Sequence, residues 1–187
     1  MLLERSLEEA PVIERNGYHY FIHPITDGVP EVDAGLLREV ASRIVRALDT
    51  TDFDKIVCVE AMGIHLGTLL STMLDRPLVI VRKRRYGLDG EIEIVQEKGY
   101  GREKLYLNGV SEGDEVVVVD DVVSTGGTLV GVLNALREAG AEVKDVVVVI
   151  ARGGLRRVRE ETGIEVKYLV RVEVDEDGVR VVESRYR

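Results

Sequence analysis

Val116-Val117-Val118-Val119-Asp120-Asp121-Val122-Val123-Ser124-Thr125-Gly126-Gly127-Thr128 is the stretch from which the rest of the chain can be read. Four consecutive β-branched residues lead into two adjacent carboxylates, and a short loop of hydroxyls and glycines follows. The valine run does not alternate with polar residues, so it reads as a strand covered on both faces, as in a parallel sheet. Leu129 to Ala139 then carries apolar residues at helical spacing (Leu129, Val132, Leu133, Leu136) and stops at Gly140, a favourable C-cap residue. Between strand and helix, Ser124 to Thr128 offers free backbone N–H groups and small side chains at a helix N-terminus. An anion can approach the main chain there, and the helix dipole favours its charge. This order of parts suits a sugar phosphate.

Working outward, Asp33 to Leu48 has the apolar spacing of an amphipathic helix (Leu36, Leu37, Val40, Ile44, Val45, Leu48). Lys55 to Val59 reads as a buried strand, followed by Glu60-Ala61-Met62-Gly63 and a helix to about Leu74. Pro77 to Val81 is the next strand, and Glu115 to Val119 the one after. Val143 to Ile150, a short basic helix and Val166 to Val172 complete the series. Strands alternating with helices predict an α/β fold with a central, mostly parallel sheet flanked by helices. Val172 to Val182 is expected to be a hairpin turned at Asp175-Glu176-Asp177-Gly178. Lys83 to Lys104, rich in glycine and charge, reads as a long excursion or loose hairpin between two core strands. Excursions of that length are more often functional than idle.

In a parallel sheet the loops after the strand C-termini share one edge. Glu60-Ala61-Met62-Gly63 and Asp120 to Thr128 should therefore face one crevice, and two such loops suit a ligand with phosphate at two places. If the strand stays extended, Asp120 and Asp121 point to opposite faces. They then suit sugar hydroxyls and a Mg²⁺ held through water rather than a single shared proton transfer. The plainer alternative is an acidic pair that only complements a helix N-terminus. The Ser-Thr-Gly-Gly-Thr that follows ranks that alternative second.

The 187 residues fit one domain, and 45% hydrophobic with 32% charged residues is the balance of a folded globular chain. A net charge of −9 argues against a nucleic-acid-binding surface. The bases cluster nevertheless, at Arg82-Lys83-Arg84-Arg85 and from Arg152 to Arg159, which suits a small polyanion as well as it suits solvated surface. The single Cys58 allows no internal disulfide, the acidic first turns are no signal peptide, and no apolar run reaches the ~20 residues of a membrane span. A cytoplasmic protein is expected. His19 and His23 lie in an extended stretch, too far apart to share a metal. His65 opens a helix near the first loop, where phosphate contact and a surface role are both open. Glu173 to Gly178 imitates a calcium loop but reads as a turn.

The stretch Val116 to Thr128 resembles the phosphoribosyl-pyrophosphate (PRPP) motif of type I phosphoribosyltransferases: an apolar strand, two acids, two apolar residues and a T-G-G-T-like loop. The similarity covers most of the chain. Glu60-Ala61-Met62-Gly63 stands where that family has its pyrophosphate loop, and Arg82-Lys83 where a basic pair follows the next strand. The excursion, about residues 83–104, matches the family's flexible loop. Residues from about 11 to 30, with part of the C-terminus, match the hood that covers the base. The run Phe21-Ile22-His23-Pro24-Ile25-Thr26-Asp27-Gly28-Val29-Pro30 is most similar to the archaeal hypoxanthine/guanine branch, itself related to the adenine and xanthine enzymes.

The resemblance implies a single type I phosphoribosyltransferase domain over residues 1–187, a likeness that carries Mg²⁺, a homodimer and purine salvage with it. Asp120 and Asp121 would hold the ribose hydroxyls and Mg²⁺, and Ser124, Thr125, Gly126, Gly127 and Thr128 the 5′-phosphate. Glu60, Ala61, Met62 and Gly63 would form the pyrophosphate loop, through a strained, cis Ala61–Met62 peptide, with Arg82 and Lys83 adding charge. Ile25, Val122, Val123 and Arg152 would face the base, and the excursion would close to exclude water. The reaction implied is transfer of the phosphoribosyl group to hypoxanthine or guanine. Adenine phosphoribosyl transfer is the enzymatic alternative, and a non-catalytic PRPP-sensing regulator is the alternative of another class. The short acidic stretch before the first core helix leaves no room for the DNA-binding unit such regulators add. Two departures stand out: Ser124 replaces an acid of the better-known hypoxanthine/guanine enzymes, and Gly99 replaces a Glu of the adenine enzymes. Glu97 is near, and the general acid–base is unassigned. Arg152 aligns with a lysine of the xanthine-type branch near the purine 6-oxygen, where a cation favours a carbonyl over an amino group. A solvated arginine at a helix start is the competing reading.

Overall fold

In chain order the elements are α1 (Leu2–Glu8), β1 (Val12–Arg15), β2 (Tyr18–Phe21), α2 (Pro24–Asp27), α3 (Ala34–Ala47), β3 (Lys55–Val59), α4 (Gly63–Leu74), β4 (Leu78–Val81), β5 (Ile92–Lys98) and β6 (Gly101–Leu107). They continue with β7 (Glu115–Val123), α5 (Gly127–Glu138), β8 (Glu142–Ala151), α6 (Leu155–Thr162), β9 (Lys167–Asp175) and β10 (Gly178–Ser184). The structure, a computed structural model, describes residues 1–15, 17–98 and 101–187, without the side chains of residues 96–98 and 102.

The main sheet has six strands in the order β10-β9-β8-β7-β3-β4, parallel except for β10, which returns antiparallel on β9. This is the α/β architecture with a mostly parallel sheet that the strand–helix alternation predicts. Val116 to Val119 lie in β7 and are at most 1% exposed, because helices cover both faces. Leu36 and Ile44 of α3 and Leu66 and Leu70 of α4 pack with Val117 and Val119 on one side. Leu129 and Leu133 of α5 and Val158 of α6 pack with Val116 and Val118 on the other. The chain leaves β3 towards β4 on one side and later re-enters on the other side as β7. That reversal makes the β3–β7 boundary a topological switch point, where the loops after two neighbouring strands diverge and leave a crevice.

Three features depart from the sequence reading. Strand β7 does not stop at Val119 but runs through both aspartates to Val123, paired with β8 up to Val123↔Ala151. An unexpected helix, α1, packs Leu3 and Leu7 into the core. The extended reading of Tyr18 to Ile25 holds only to His23, after which Pro24 starts the single turn α2. His23 caps that turn: its Nδ1 accepts the Ile25 N–H at 3.2 Å, so its Nε2 carries the proton towards Ser6 Oγ at 2.9 Å. Burial lowers its pKa to about 4, which keeps the ring neutral. Both nitrogens are occupied within the protein, so His23 is a structural cap. The excursion is a two-stranded antiparallel hairpin, β5–β6, joined to the end of β4 by the Arg82↔Tyr106 bridge. Asp175 to Gly178 is the turn between β9 and β10, and no helix is long and apolar enough to cross a membrane among the described residues.

Arg43 of α3 is fully buried, a rare place for a charge. It pairs with Glu4 of α1 at 3.0 Å and donates to the Leu169 and Arg185 carbonyls at 3.0 and 2.8 Å and to Ser184 Oγ at 3.0 Å. One guanidinium thus ties α1, α3, β9 and the chain after β10 together. Arg43→Met would keep much of the bulk but strand Glu4 and two carbonyls. It should destabilise the fold by about 3–5 kcal/mol, read as a lowered midpoint in urea unfolding.

Candidate active site

The crevice at the switch point is built from the loop after β3 and the far end of β7. Val59, Glu60, Ala61 and Met62 line it on one side, Asp120, Asp121, Val122 and Thr128 on the other, with Lys83, Glu103 and Leu105 towards the β5–β6 hairpin. The non-proline cis peptide expected at Ala61–Met62 lies one bond earlier, at Glu60–Ala61. Gly63 begins α4, and a Cβ there would sit 3.1 Å from Asp120 Oδ1 and 3.3 Å from Cys58 Cβ. The missing side chain therefore lets the Asp120 carboxyl settle over the first turn of α4, where the helix N-terminus favours negative charge.

Asp120 and Asp121 do not part to opposite faces as strict strand alternation requires. Asp120 Oδ1 turns along the strand and accepts the Asp121 N–H at 3.0 Å, the two carboxyls also bond to each other, and both line the crevice. A short acidic side chain satisfying the next backbone N–H is a familiar local alternative to the extended pattern. Burial, at the end of a fully covered strand, raises the Asp120 pKa. Burial and then the neighbouring Asp120 charge push Asp121 well above the usual carboxylate range. Behind them Cys58 is fully buried, and desolvation with the Asp120 charge raises its thiol to about 12, so it is no nucleophile.

The cations at this edge are already engaged. Glu60 pairs with Arg82 Nε at 2.7 Å and accepts the Lys83 N–H at 2.6 Å, and Lys83 Nζ lies 3.0 Å from Glu103. Four carboxylates, from Glu60, Glu103, Asp120 and Asp121, thus face the crevice. An all-oxygen donor set of this kind suits a hard divalent cation. Among the described residues no group of three His, Cys, Asp or Glu side chains is arranged as a metal cage, so water or ligand oxygens would have to complete the coordination.

The Ser124–Thr128 loop forms a second recess with Asp120, Val122 and Val123, leading into α5 at Gly127. Gly126 is left-handed at φ +81, and a Cβ on it would meet the Gly154 carbonyl oxygen at 2.8 Å. Conversely, a Cβ on Gly154, itself at φ +71, would lie 2.5 Å from Gly126 N, and one on Gly153 would lie 2.8 Å from the Ser124 oxygen. The loop after β8 therefore buttresses the loop after β7, backbone against backbone. Sequence reading passed over Gly153-Gly154, although a glycine pair directly after a buried strand repeats the signal of Gly126-Gly127. It also passed over Glu103 and over Tyr18, whose hydroxyl reaches Ser124 Oγ at 3.2 Å and whose ring lies 4.1 Å from the Arg152 guanidinium carbon. Arg152 is thus held at this edge of the sheet.

The remaining expected residues fall unevenly. Val122 lines both recesses, and Val123, 2% exposed, lines that of the Ser124–Thr128 loop. Ile25 does not reach either, since its side chain is fully buried in the core with Val119 and Leu66. His65 lies in α4 away from the crevice lining, its Nε2 buried and without a partner. Gly99 and the Glu97 side chain fall outside the described residues.

A phosphoribosyl transferase domain model matches residues 33–183, a span that includes both loops and all the crevice strands. The chain belongs to the phosphoribosyltransferase family. This phosphoribosyltransferase is 83% identical over 187 residues, all of both chains, to a hypoxanthine/guanine phosphoribosyltransferase of Methanopyrus kandleri. It is 56% identical over 175 residues to the protein of that name in Methanocaldococcus infernus, covering 93% of this chain and 96% of the relative. Among solved structures, an adenine phosphoribosyltransferase of Thermoanaerobacter pseudethanolicus superposes with a TM-score of 0.76 at 25% identity, covering 90% of this chain and 99% of that one.

Two measurements test the site. Because both aspartates have raised values, the folded state holds protons that the unfolded chain releases above about pH 4. Stability is therefore complete below that pH and falls as pH rises through the folded-state values. The Asp120→Asn/Asp121→Asn double variant should melt higher than the parent at pH 8 and close to it at pH 4, while losing turnover. Gly154→Ala should push the Ser124–Thr128 loop out of place and weaken PRPP binding at least about tenfold in a titration. Gly163→Ala, at φ +77 in open space, should cost only about 1 kcal/mol of stability and leave binding unchanged.

Proposed function

We propose that this phosphoribosyltransferase salvages purines, moving the 5-phosphoribosyl group from PRPP to N9 of hypoxanthine or guanine and yielding IMP or GMP and pyrophosphate. The observation that carries the reading is the meeting of two anion-receptive loops, 60–63 and 124–128, on either side of the Asp120–Asp121 pair. The names of the full-length relatives support the choice of base.

In this reading the backbone N–H groups of Ser124 to Thr128 hold the 5′-phosphate at the N-terminus of α5. Asp120 and Asp121 accept hydrogen bonds from the ribose 2′- and 3′-hydroxyls, which fixes the sugar between its two phosphate anchors. Ala61, Met62 and Gly63 present main-chain donors to the pyrophosphate, with Arg82 and Lys83 beside them. The C1′–oxygen bond to pyrophosphate breaks as the C1′–N9 bond forms, positive charge builds on the sugar ring in the transition state, and the base gives up its imidazole-ring proton to water or to the departing pyrophosphate. The carboxylates of the crevice stabilise that charge, while alignment of N9 opposite the leaving group does most of the remaining work. Bound Mg²⁺ would neutralise the leaving pyrophosphate, and Asp120 and Asp121 are the residues fitted to hold it, through water. Val122 and Val123 supply an apolar floor for the base, and Arg152 offers donors that suit a 6-oxygen rather than a 6-amino group. The β1–β2 hairpin serves as the hood and the β5–β6 hairpin as the lid of a cytoplasmic homodimer.

The test is pyrophosphate release with PRPP, Mg²⁺ and hypoxanthine, guanine, xanthine or adenine, with the nucleotide product identified. Turnover of hypoxanthine and guanine is expected. Adenine alone as substrate, the specificity named for the structural neighbour, would overturn the base assignment and keep the transfer. PRPP binding without turnover of any base would make the protein a sensor.

A further inference from the structure

Tyr18 draws three parts of the chain together. It stands on β2, outside the main sheet, with its hydroxyl 3.2 Å from Ser124 Oγ at the start of the phosphate loop. The Arg152 guanidinium carbon lies 4.1 Å from its ring centroid, and the Tyr20 ring, tilted by 59°, lies 4.6 Å away on the same strand. Tyr18 is 39% exposed, so core packing does not explain where its ring goes.

Arg152 makes the arrangement informative. It is the first residue past β8, with its N–H bound to the Val123 carbonyl at 2.9 Å. Its guanidinium has no carboxylate partner among the described residues, although Arg82, Lys83 and Arg85 at the same edge of the sheet each have one. Left alone, an arginine samples many rotamers. The aromatic face restricts that freedom without consuming the N–H donors, because a cation–π contact uses the charge and leaves the guanidinium edge free. A carboxylate in the same place would have taken those donors.

We propose that Tyr18 is the positioning residue for base selection: its ring orients Arg152 towards an acceptor on the base, and its hydroxyl, bonded to Ser124, holds the ring beside the start of the 124–128 loop. The inference rests on the 6-oxopurine reading above and adds the residue on which that preference depends. A base carrying a carbonyl next to N7 offers two acceptors to the fixed guanidinium, whereas a 6-amino group turns a donor towards it.

The experiment is kcat/KM for hypoxanthine and for adenine, with the KM for PRPP, in the parent, Tyr18→Leu, Tyr18→Phe, Arg152→Met and the Tyr18→Leu/Arg152→Met pair. Tyr18→Leu should lower hypoxanthine kcat/KM by roughly ten- to a hundredfold, mostly through KM for the base, and leave adenine and the KM for PRPP within about threefold. Tyr18→Phe, which retains the ring, should recover most of that loss. In the Arg152→Met background, Tyr18→Leu should add little, because the two act as one unit. Overturning results are an unchanged hypoxanthine-to-adenine ratio in Tyr18→Leu, or a full additional loss in the double variant. Equal damage in Tyr18→Phe and Tyr18→Leu would also count against the ring's role. A parent enzyme that uses adenine alone would remove the base reading and this proposal together. A parent that uses hypoxanthine beside a Tyr18→Leu variant that keeps its ratio removes only the proposal.

Discussion

Two adjacent carboxyl groups in the second half of β7, a strand covered by helices on both faces, are the constraint around which this fold is arranged. Burying even one carboxylate is costly unless donors or an opposite charge meet it. Here the partial remedies are local: the first turn of α4 beneath Asp120, the Asp121 N–H, and a hydrogen bond between the two acids. None supplies a full positive charge, which is why both acids hold their protons more tightly than usual. The nearby cations are turned towards Glu60 and Glu103 instead. At rest the crevice is therefore a site of reluctant acids flanked by paired carboxylates rather than a basic pocket awaiting phosphate. A polyanionic ligand would be received by main-chain N–H groups, and any added charge neutralisation would come from a bound cation or from a rearranged Arg82 and Lys83.

Sheet topology places this constraint where it is useful. Because β3 and β7 are neighbours whose helices leave to opposite faces, their following loops diverge and open space directly above the acids. The same neighbours set the distance between the two loops, so that spacing is a property of the core rather than of flexible side chains. The parts outside the main sheet meet it at the same edge: hairpin β1–β2 through Tyr18, which touches Ser124 and Arg152, and hairpin β5–β6 through Glu103 beside Lys83, the Arg82–Tyr106 bridge and Leu105 in the crevice wall. Ile94, Leu105 and Leu107 bury the β5–β6 hairpin in the same core as Leu129 and Leu133 of α5, whereas Tyr18 and Tyr20 of the β1–β2 hairpin stay exposed.

Much of this was legible in the sequence because the decisive signals are periodic and local. A run of valines can be little other than a covered strand, and the hydroxyl–glycine loop with the helical spacing after it fixes the next two parts. Alternation failed at Asp120 and Asp121 because a short acidic side chain can turn along the strand and serve its neighbour's N–H. Helix α1 escaped notice because two leucines four residues apart are too few to establish a period. Ile25 looked like a pocket residue by its place in the chain, but α2 turns its side chain inward. Tyr18 with Ser124, 106 residues apart, and Gly126 with Gly154 are contacts created by the sheet, and no local pattern encodes them.

The interlocked glycines carry a consequence for how such a sequence can change over time. The Gly154 backbone fills the side-chain space of Gly126, and residues 124 to 126 fill that of Gly153 and Gly154, with gaps of 2.5 to 2.9 Å where a methyl group would have to stand. Gly126, Gly153 and Gly154 cannot take a side chain unless the facing backbone retreats, and each loop is followed by a helix whose packing resists that retreat. The two loops should therefore drift as a pair or not at all: an alignment of relatives should hold glycine at both 126 and 154, or depart from it at both in the same lineages.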